Sequence, residues 1–319
     1  MKVGFIGLGM MGKFMAANLQ KNGYDLVVHD LNKASAEPHI AAGATWVDSP
    51  KAVGEAVDVV FSSLPGPPEV EAVALGDNGL LAGMSKDGAY FDLSTNSPTV
   101  VRRIAAIFAE KGVHMLDAPV SGGPAGAESG KLALWIGGPE AVFNKHKSIL
   151  DAIGDRANYI GDIGAGSVAK LVHNCSGYAM QCALAEVFTL GVKAGVEPLA
   201  LWEAVRQGAQ GRRRTYDGLI NQFLPGEYDP ADFALRLAHK DVSLATALGR
   251  EIGVPMRFAN MALEEMTEAM NRGWENRDSR SPMILQLERA GVEIKVDRAD
   301  IRAALERDGA ANDNPKKSN

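Results

Sequence analysis

Three glycines near the N-terminus have the spacing of a phosphate-binding turn. Gly7, Gly9 and Gly12 lie in GLGMMG, which follows the apolar run KVGFI and opens a helical pattern. A second apolar run, DLVVHD, ends in Asp30, 18 residues after Gly12. This context is what the dinucleotide-binding fingerprint requires. Gly7 would permit the tight turn, Gly9 a close approach of the pyrophosphate, and Gly12 close packing of helix on strand.

The same turn indicates which dinucleotide would bind. The N–H groups and positive dipole at the helix N-terminus attract phosphates, so we include Met10 and Met11 in the cofactor site. Asp30 is placed to accept hydrogen bonds from the adenosine ribose, and its carboxylate would repel a 2′-phosphate. We therefore predict NAD and keep NADP as the alternative, because Asn32 and Lys33 could turn toward a phosphate.

A segment after a later apolar run offers groups suited to a carboxylate. In DAPVSGGPAGAESG, Ser121 supplies a hydroxyl, and Gly122 and Gly123 leave backbone N–H groups unshielded. Ligands of a parallel α/β sheet gather at the carboxyl ends of its strands, where this segment would lie. A surface loop that needs glycine for its turns explains the segment equally well.

A lysine in the first turn of an apolar helical pattern is the candidate acid–base group. GAGSVAKLVHN places Lys170 and Asn174 four residues apart, and therefore on one helix face. Lysine is usually a solvated surface residue, but here the helix dipole disfavours a cation. His173 competes with Lys170 for the acid–base role. The pair Lys240–Asp241 is unremarkable by itself.

These candidates need elements to position them, and the two halves of the chain differ. Over 1–163, six apolar runs alternate with helical patterns, which predicts an α/β domain with a largely parallel sheet. Over 164–296, we predict only helices. Over 297–319, we expect one short helix around Ile301 and Leu305, and a disordered tail beyond Gly309. The six runs are KVGFIG, DLVVHD, AVDVVFSSLP, GAYFDLST, VHMLDAPV and LALWIGG, and the C-terminal helices are predicted over 167–194, 198–207, 215–223, 232–252, 256–272 and 281–290.

Length, charge and cysteine usage limit the function further. The 319 residues suffice for about two domains, whose core needs no disulfide or metal, and we expect no metal site. The net charge of −6 argues against nucleic acid or an anionic membrane as partner. No apolar run approaches the ~20 residues that span a bilayer. Cys175 and Cys182 are too far apart on a helix to pair, so we expect buried free thiols in a reducing cytoplasm.

The combination of motifs resembles one enzyme family over about residues 1–290. GLGMMG, SSLP, DLST, DAPVSGG, GAGSVAKLVHN and HKDVSLA occur in that order. Together they closely resemble the β-hydroxyacid dehydrogenases, the family of 3-hydroxyisobutyrate dehydrogenase and tartronate semialdehyde reductase. The resemblance implies a Rossmann-type domain followed by an all-helical domain, with the active site in the cleft between them.

The resemblance also implies residue roles. Lys170 matches the catalytic lysine, and Asn174 matches the asparagine that helps to hold the substrate. Ser121, Gly122 and Gly123 match the loop that binds the substrate carboxylate. The positions that line the nicotinamide cofactor are matched by Leu64, Pro65, Thr95 and Lys240.

Two features depart from the commonest family pattern. His173 stands where many members have asparagine. Arg212, Arg213 and Arg214 make their region more basic than expected, and three such residues are usually a solvated face. Near a cleft they could instead favour a substrate with a second anionic group. Both features concern the substrate, not the reaction type.

The resemblance implies NAD-dependent oxidation of a short 3-hydroxy acid, with Lys170 removing the hydroxyl proton. An NADPH-dependent semialdehyde reductase and an imine reductase are the alternatives on this scaffold, although imine reductases usually carry another residue at the Lys170 position. A non-catalytic cofactor-binding module is a further alternative. The first long helix is apolar on more than one face, which predicts a homodimer or homotetramer.

Overall fold

A computed structural model describes residues 1–208, 217–253 and 255–312. The chain forms two compact units, Met1–His173 and Asn174–Asn319. The arginine cluster at 212–214 lies outside the described residues. No helix in the described part of the chain is long and apolar enough to cross a membrane.

The first unit is built on a nine-stranded sheet. The strand order is β3-β2-β1-β4-β5-β6-β8-β7, with β9 paired to β8. Neighbouring strands from β3 to β6 run parallel, whereas β8 is antiparallel to both β6 and β7 and parallel to β9. The strands are β1 (Lys2–Ile6), β2 (Asp25–His29), β3 (Thr45–Trp46), β4 (Val59–Ser62), β5 (Ala89–Asp92), β6 (His114–Asp117), β7 (Val120–Ser121), β8 (Leu132–Gly137) and β9 (Gly154–Gly161).

Helices cover both faces of this sheet. Successive residues of β4 show the arrangement, because Val60 belongs to one buried apolar cluster and Phe61 to the other. A short 3₁₀ turn, Lys33–Ala36, precedes the second helix. The helices are α1 (Gly12–Lys21), α2 (Glu37–Ala41), α3 (Pro50–Ala56), α4 (Pro67–Leu75), α5 (Leu80–Gly83), α6 (Pro98–Glu110), α7 (Gly123–Ser129), α8 (Glu140–Leu150) and α9 (Ala165–Lys193).

Beyond the start of α9, the described residues of the second unit form helices and no strand. An isolated bridge joins Ala234 and Asp278. Two apolar clusters fill this unit, and the buried residues of one include Ile301 and Ala304 of the last helix. The further helices are α10 (Pro198–Gln207), α11 (Leu235–Glu251), α12 (Arg257–Asn271), α13 (Met283–Ala290) and α14 (Arg298–Asn312).

The structure confirms the α/β-then-helical order and corrects several elements. The run VHMLDAPV is two strands, β6 and β7, separated by Ala118 and Pro119. The strands β3 and β9 and the helices α5 and α7 were not predicted, and β7 was predicted only as the end of the β6 run. Within the described part of 215–223 there is a 3₁₀ turn, Asp217–Ile220, in place of a regular helix. The C-terminal helix α14 continues to Asn312, past the expected tail boundary at Gly309.

Candidate functional site

The glycine turn between β1 and α1 explains why two of its residues must be glycine. Gly7 has φ +89°, a conformation that side chains disfavour, and its N–H donates to the His29 carbonyl oxygen at 3.0 Å. A Cβ atom on Gly12 would lie 1.9 Å from the Gly7 carbonyl oxygen. A Cβ atom on Gly9 would meet nothing within 4 Å, and Gly9 and Met10 are exposed. The turn therefore leaves open the space into which a pyrophosphate would fit.

Asp30 follows β2 and is tied to the same turn. One carboxylate oxygen accepts the Leu8 N–H at 2.6 Å, and the other accepts the Asn32 N–H at 2.8 Å. The Asn32 side chain accepts the Ala34 N–H at 3.2 Å, and the Lys33 ammonium lies 5.5 Å from the centre of the Trp46 ring. Asp30 is only partly buried, so its oxygens remain available to a ribose, while both residues that could meet a 2′-phosphate have other contacts.

A buried acid at the end of β5 links the two loops that carry the next candidates. Asp92 is fully buried and accepts hydrogen bonds from Ser62 Oγ (3.1 Å), Ser94 N (3.0 Å) and Asn96 Nδ2 (2.9 Å). Ser94 Oγ in turn accepts the Leu64 N–H at 2.9 Å. Burial raises the pKa of Asp92, although the hydrogen bonds from Ser94 and Asn96 oppose that rise.

This network fixes the ends of β4 and β5 against each other. Leu64 and Pro65 follow β4, and Thr95 follows β5, so the three residues lie on connected loops. Pro65 is exposed, and Leu64 and Thr95 are half-buried. The sequence motifs SSLP and DLST indicated these two loops, but they did not show that Asp92 connects them.

A second buried acid, Asp117, fixes the start of α9. It ends β6, and its two carboxylate oxygens accept the Gly164 N–H at 2.7 Å and the Ser167 N–H at 2.5 Å. These bonds satisfy N–H groups that a helix start leaves unpaired. Burial raises the pKa of Asp117, and the same backbone hydrogen bonds oppose the rise. Because Lys170 lies one turn beyond Ser167, Asp117 positions the helical turn that carries it.

The carboxylate-loop residues and His173 come together in the first unit. Ser121 ends β7, and its Oγ lies 3.1 Å from His173 Nε2. Gly122 (φ +140°) and Gly123 (φ +61°) then turn the chain into α7. The candidate lysine, Lys170, is half-buried and lies one turn before His173 on α9.

Asn174 and Lys240 are brought together in the second unit through a residue that sequence reasoning passed over. Asn174 Nδ2 donates to Asp241 Oδ2 at 2.6 Å. Lys240 Nζ lies 3.1 Å from Asp241 Oδ1 in an ion pair without hydrogen-bond geometry. Asp241 is 2% exposed, whereas the Lys240 side chain is 28% exposed. Asp241 therefore orients one candidate on α9 and one on α11.

Metal-binding geometry does not occur among the described residues, where no group of three or more His, Cys, Asp or Glu side chains could hold an ion. The candidate functional groups are therefore the dinucleotide-binding turn, the Ser121 hydroxyl beside Gly122 and Gly123, and the Lys170 amine near the start of α9, which Asp117 holds in place.

Comparison with known proteins shows the family to which a chain with these groups belongs. Residues 2–161 match the NAD-binding domain of 6-phosphogluconate dehydrogenase, and residues 164–286 match the NAD-binding domain of NADP-dependent 3-hydroxyisobutyrate dehydrogenase. The chain is 38% identical over 277 residues to 2-(hydroxymethyl)glutarate dehydrogenase of Eubacterium barkeri, covering 86% of this chain and 92% of that protein. It is 37% identical over 250 residues to 3-hydroxyisobutyrate dehydrogenase of Pseudomonas aeruginosa, covering 77% and 84%.

Solved structures agree. A crystal structure of 3-hydroxyisobutyrate dehydrogenase from Salmonella typhimurium superposes with a TM-score of 0.78 at 28% identity, covering 89% of this chain and 99% of that one. The chain belongs to the β-hydroxyacid dehydrogenase family. The predictions of family, of a nicotinamide cofactor and of an oxidoreductase acting on CH–OH groups are thereby confirmed.

Proposed function

We propose that this protein oxidises a short 3-hydroxy acid to its semialdehyde or 3-oxo acid with NAD, and that Lys170 transfers the proton. The observation that carries the proposal is that the buried carboxylate of Asp117 holds the start of α9 in place. Asp117 accepts the N–H groups of Gly164 and Ser167 and so fixes the first turns of α9, which carry Lys170 and, one turn later, His173 at 3.1 Å from Ser121. A proton-transfer group must be held in place in this way to be effective.

The residues of the glycine turn fit a dinucleotide. Gly7, Gly9, Met10, Met11 and Gly12 would hold its pyrophosphate at the start of α1, where Gly9 leaves open space. Asp30 would accept hydrogen bonds from the adenosine ribose, which favours NAD over NADP. Bound NAD supplies a nicotinamide that accepts hydride. The nicotinamide would be lined by Leu64, Pro65, Thr95 and Lys240.

The other groups bind the substrate and move its proton. Ser121 and the backbone N–H groups of Gly122 and Gly123 would bind the substrate carboxylate. Lys170 would take the hydroxyl proton in oxidation and return it to the carbonyl oxygen in reduction. Asn174, oriented by Asp241, would donate its remaining amide hydrogen to the substrate.

The relatives support a hydroxy acid with its alcohol β to a carboxylate. The names 2-(hydroxymethyl)glutarate and 3-hydroxyisobutyrate both describe such a molecule, and the first carries a second carboxylate. The test is a panel of mono- and dicarboxylic 3-hydroxy acids. Each acid is assayed with NAD and with NADP, and the absorbance of the reduced nicotinamide measures its oxidation. Oxidation of at least one member with NAD is expected. If no acid in the panel is oxidised with either cofactor, the proposal is wrong and a non-catalytic cofactor-binding module is favoured.

Two rival enzymes share the scaffold. A semialdehyde reductase that uses NADPH would show its highest kcat/KM in the reverse direction with NADPH. An imine reductase would act on cyclic imines and not on the acid panel. Lys170 disfavours the imine reductase, because that chemistry usually has another residue at this position.

Exposed apolar side chains support assembly into a homodimer or homotetramer. On α9, Val172 is 64% exposed and Met180 is 51% exposed; on α12, Phe258 is 74% exposed. Phe188, on another part of α9, is buried in the core of the second unit. Uncovered apolar groups on neighbouring helices are typical of an interface. Light scattering at micromolar concentration should give a multiple of 33.8 kDa, and a monomer would refute this.

A reducing cytoplasm is the compartment that we propose. Cys175 and Cys182 are both free thiols. Cys175 is buried as expected, whereas Cys182 is only half-buried. Burial raises the pKa of Cys182 to about 11, so this thiol is protonated and poorly reactive at neutral pH.

A further inference from the structure

We propose that His173 orients the Ser121 hydroxyl so that its hydrogen points to the substrate carboxylate. The inference rests on the carboxylate role proposed above for Ser121, and it assigns His173 a positioning role in place of an acid–base role. The observation behind it is the 3.1 Å separation between Ser121 Oγ and His173 Nε2, which is a hydrogen bond whose donor depends on the imidazole tautomer.

The direction of this hydrogen bond decides what Ser121 can bind. A serine hydroxyl has one hydrogen to donate and two lone pairs to accept with. If Ser121 donates to Nε2, it turns only lone pairs to a ligand, and these repel a carboxylate. If Nε2–H donates to Ser121, the hydroxyl hydrogen is left for the ligand. A carboxylate accepts only, so it requires the second arrangement.

The surroundings keep the imidazole ring in place. Its centroid lies 5.2 Å from that of the Trp135 ring, at an interplanar angle of 49°. Trp135 belongs to β8, which pairs with β7 through Ser121 and Ala133. The strand that carries Ser121 and the strand that carries Trp135 are therefore neighbours, and His173 contacts both from α9. This two-sided contact fixes the distance between Nε2 and Oγ.

The surroundings of the ring also favour its neutral form, which makes the tautomer matter. Partial burial, and then the Lys170 ammonium one turn away, lower the pKa of His173. A neutral imidazole carries a single N–H, on either Nδ1 or Nε2. The Nε2–H tautomer leaves His173 as donor to Ser121, and the Nδ1–H tautomer reverses the hydrogen bond.

The tautomer can be measured without any substrate. In uniformly ¹⁵N-labelled protein, long-range ¹H–¹⁵N correlation distinguishes the two nitrogens, and the His173→Gln variant identifies the signal. We expect the Nε2–H tautomer in the free protein, and a loss of that preference in Ser121→Ala. A predominant Nδ1–H tautomer would overturn the proposal, whatever the activity of the protein.

Kinetics test the consequence for binding. His173→Leu removes the donor, and we expect KM for the best carboxylate substrate to rise about tenfold with kcat changed less than threefold, since a hydrogen bond to a charged group is weakened. His173→Gln should restore KM, because its amide Nε2 can reach as far as the imidazole Nε2. His173→Asn should not, because its side chain is one bond shorter.

A double-mutant cycle separates orientation from general damage. In a Ser121→Ala background, His173→Leu should change KM less than twofold, because the hydroxyl it orients is gone. Equal effects in both backgrounds, or a loss confined to kcat, would overturn the proposal. If the wild type oxidises no 3-hydroxy acid, the proposed function fails while the tautomer measurement still decides the orientation of Ser121.

Discussion

Asp30 connects cofactor choice to the shape of the turn, because its carboxylate binds both the Leu8 N–H and the Asn32 N–H. Its loss therefore affects the turn as well as the ribose. Asp30→Ala is expected to weaken NAD binding by about 10- to 100-fold, the range for hydrogen bonds to a charged group. NADP binding should weaken less, because the repulsion of a 2′-phosphate disappears too. Fluorescence titration with both cofactors measures the change in preference.

Asp30→Asn is the matched control for that substitution. The amide keeps one acceptor for a backbone N–H but removes the charge. We expect it to narrow the preference for NAD while costing less affinity than Asp30→Ala. A wild-type protein that already binds NADP more tightly would show that the interpretation of Asp30 is wrong.

At the residue scale, sequence reasoning found the groups proposed to touch ligands and missed those that position them. Gly7, Gly12 and Lys170 could be recognised in the sequence because they belong to short motifs whose spacing is diagnostic. Asp241 was missed because its partner Asn174 is 67 residues away. Asp92 was missed because its role in joining two loops depends on Ser62, which is 30 residues away. One signal was available for Asp92: an acid that ends an otherwise apolar strand is a candidate for a buried acceptor.

At the element scale, the turn between β1 and α1 is the most constrained part of the fold. A Gly12→Ala Cβ would lie 1.9 Å from a backbone oxygen, and 2.9 Å from the Gly7 carbonyl carbon. Alanine gains about 1 kcal/mol of helix propensity, but an overlap of 1.9 Å with backbone costs more, about 3 kcal/mol or above. We expect Gly12→Ala to lower the free energy of unfolding and to weaken NAD binding, as measured by urea denaturation and by titration.

Gly9→Ala separates the two effects. Its Cβ would enter open space, so the free energy of unfolding should stay within about 0.5 kcal/mol of the wild type. NAD affinity should nevertheless fall, because the methyl group takes the space of the pyrophosphate. Unchanged affinity in Gly9→Ala would mean that the pyrophosphate does not approach this residue.

Element prediction succeeded where apolar patterning was strong. It failed for short elements and for β9, whose eight residues GDRANYIG contain no apolar run. The apolar runs of β1, β2, β4 and β5 are long enough to be recognised, and α10 was predicted over its observed bounds, 198–207. The strands β3 and β7 have two residues each, which is too short for a pattern. The helix α7 was missed because GPAGAES is rich in glycine and proline, residues of low helix propensity.

At the scale of the whole molecule, two buried histidines make stability depend on pH. His39 is 4% exposed and lies 3.0 Å from Gln20 Oε1, and His146 is 7% exposed. Burial lowers the pKa of both, with the charges of Lys145 and His114 adding to the effect at His146. The unfolded state then binds protons first as pH falls below about 6.5, so the free energy of unfolding should decrease there.

Urea denaturation between pH 7.5 and 5.5 measures this dependence. Each histidine contributes at most about 1.4 kcal/mol per pH unit over the interval between its unfolded and folded pKa. The double variant His39→Asn, His146→Leu should show a shallower slope than the wild type. The same slope in both proteins would exclude these two histidines as its source.

The most direct test of the central claim is kcat of Lys170→Ala beside that of His173→Ala, with NAD titrated by fluorescence in each. Loss of a positioned acid–base group should lower kcat of Lys170→Ala by about 10²–10⁴-fold. NAD affinity should be unchanged, because the pyrophosphate would be held by the Gly7–Gly12 turn at the start of α1, of which Lys170 is not a part. His173→Ala should act mainly through KM. A fully active Lys170→Ala enzyme, with kcat abolished in His173→Ala, would contradict the assignment and move proton transfer to the histidine.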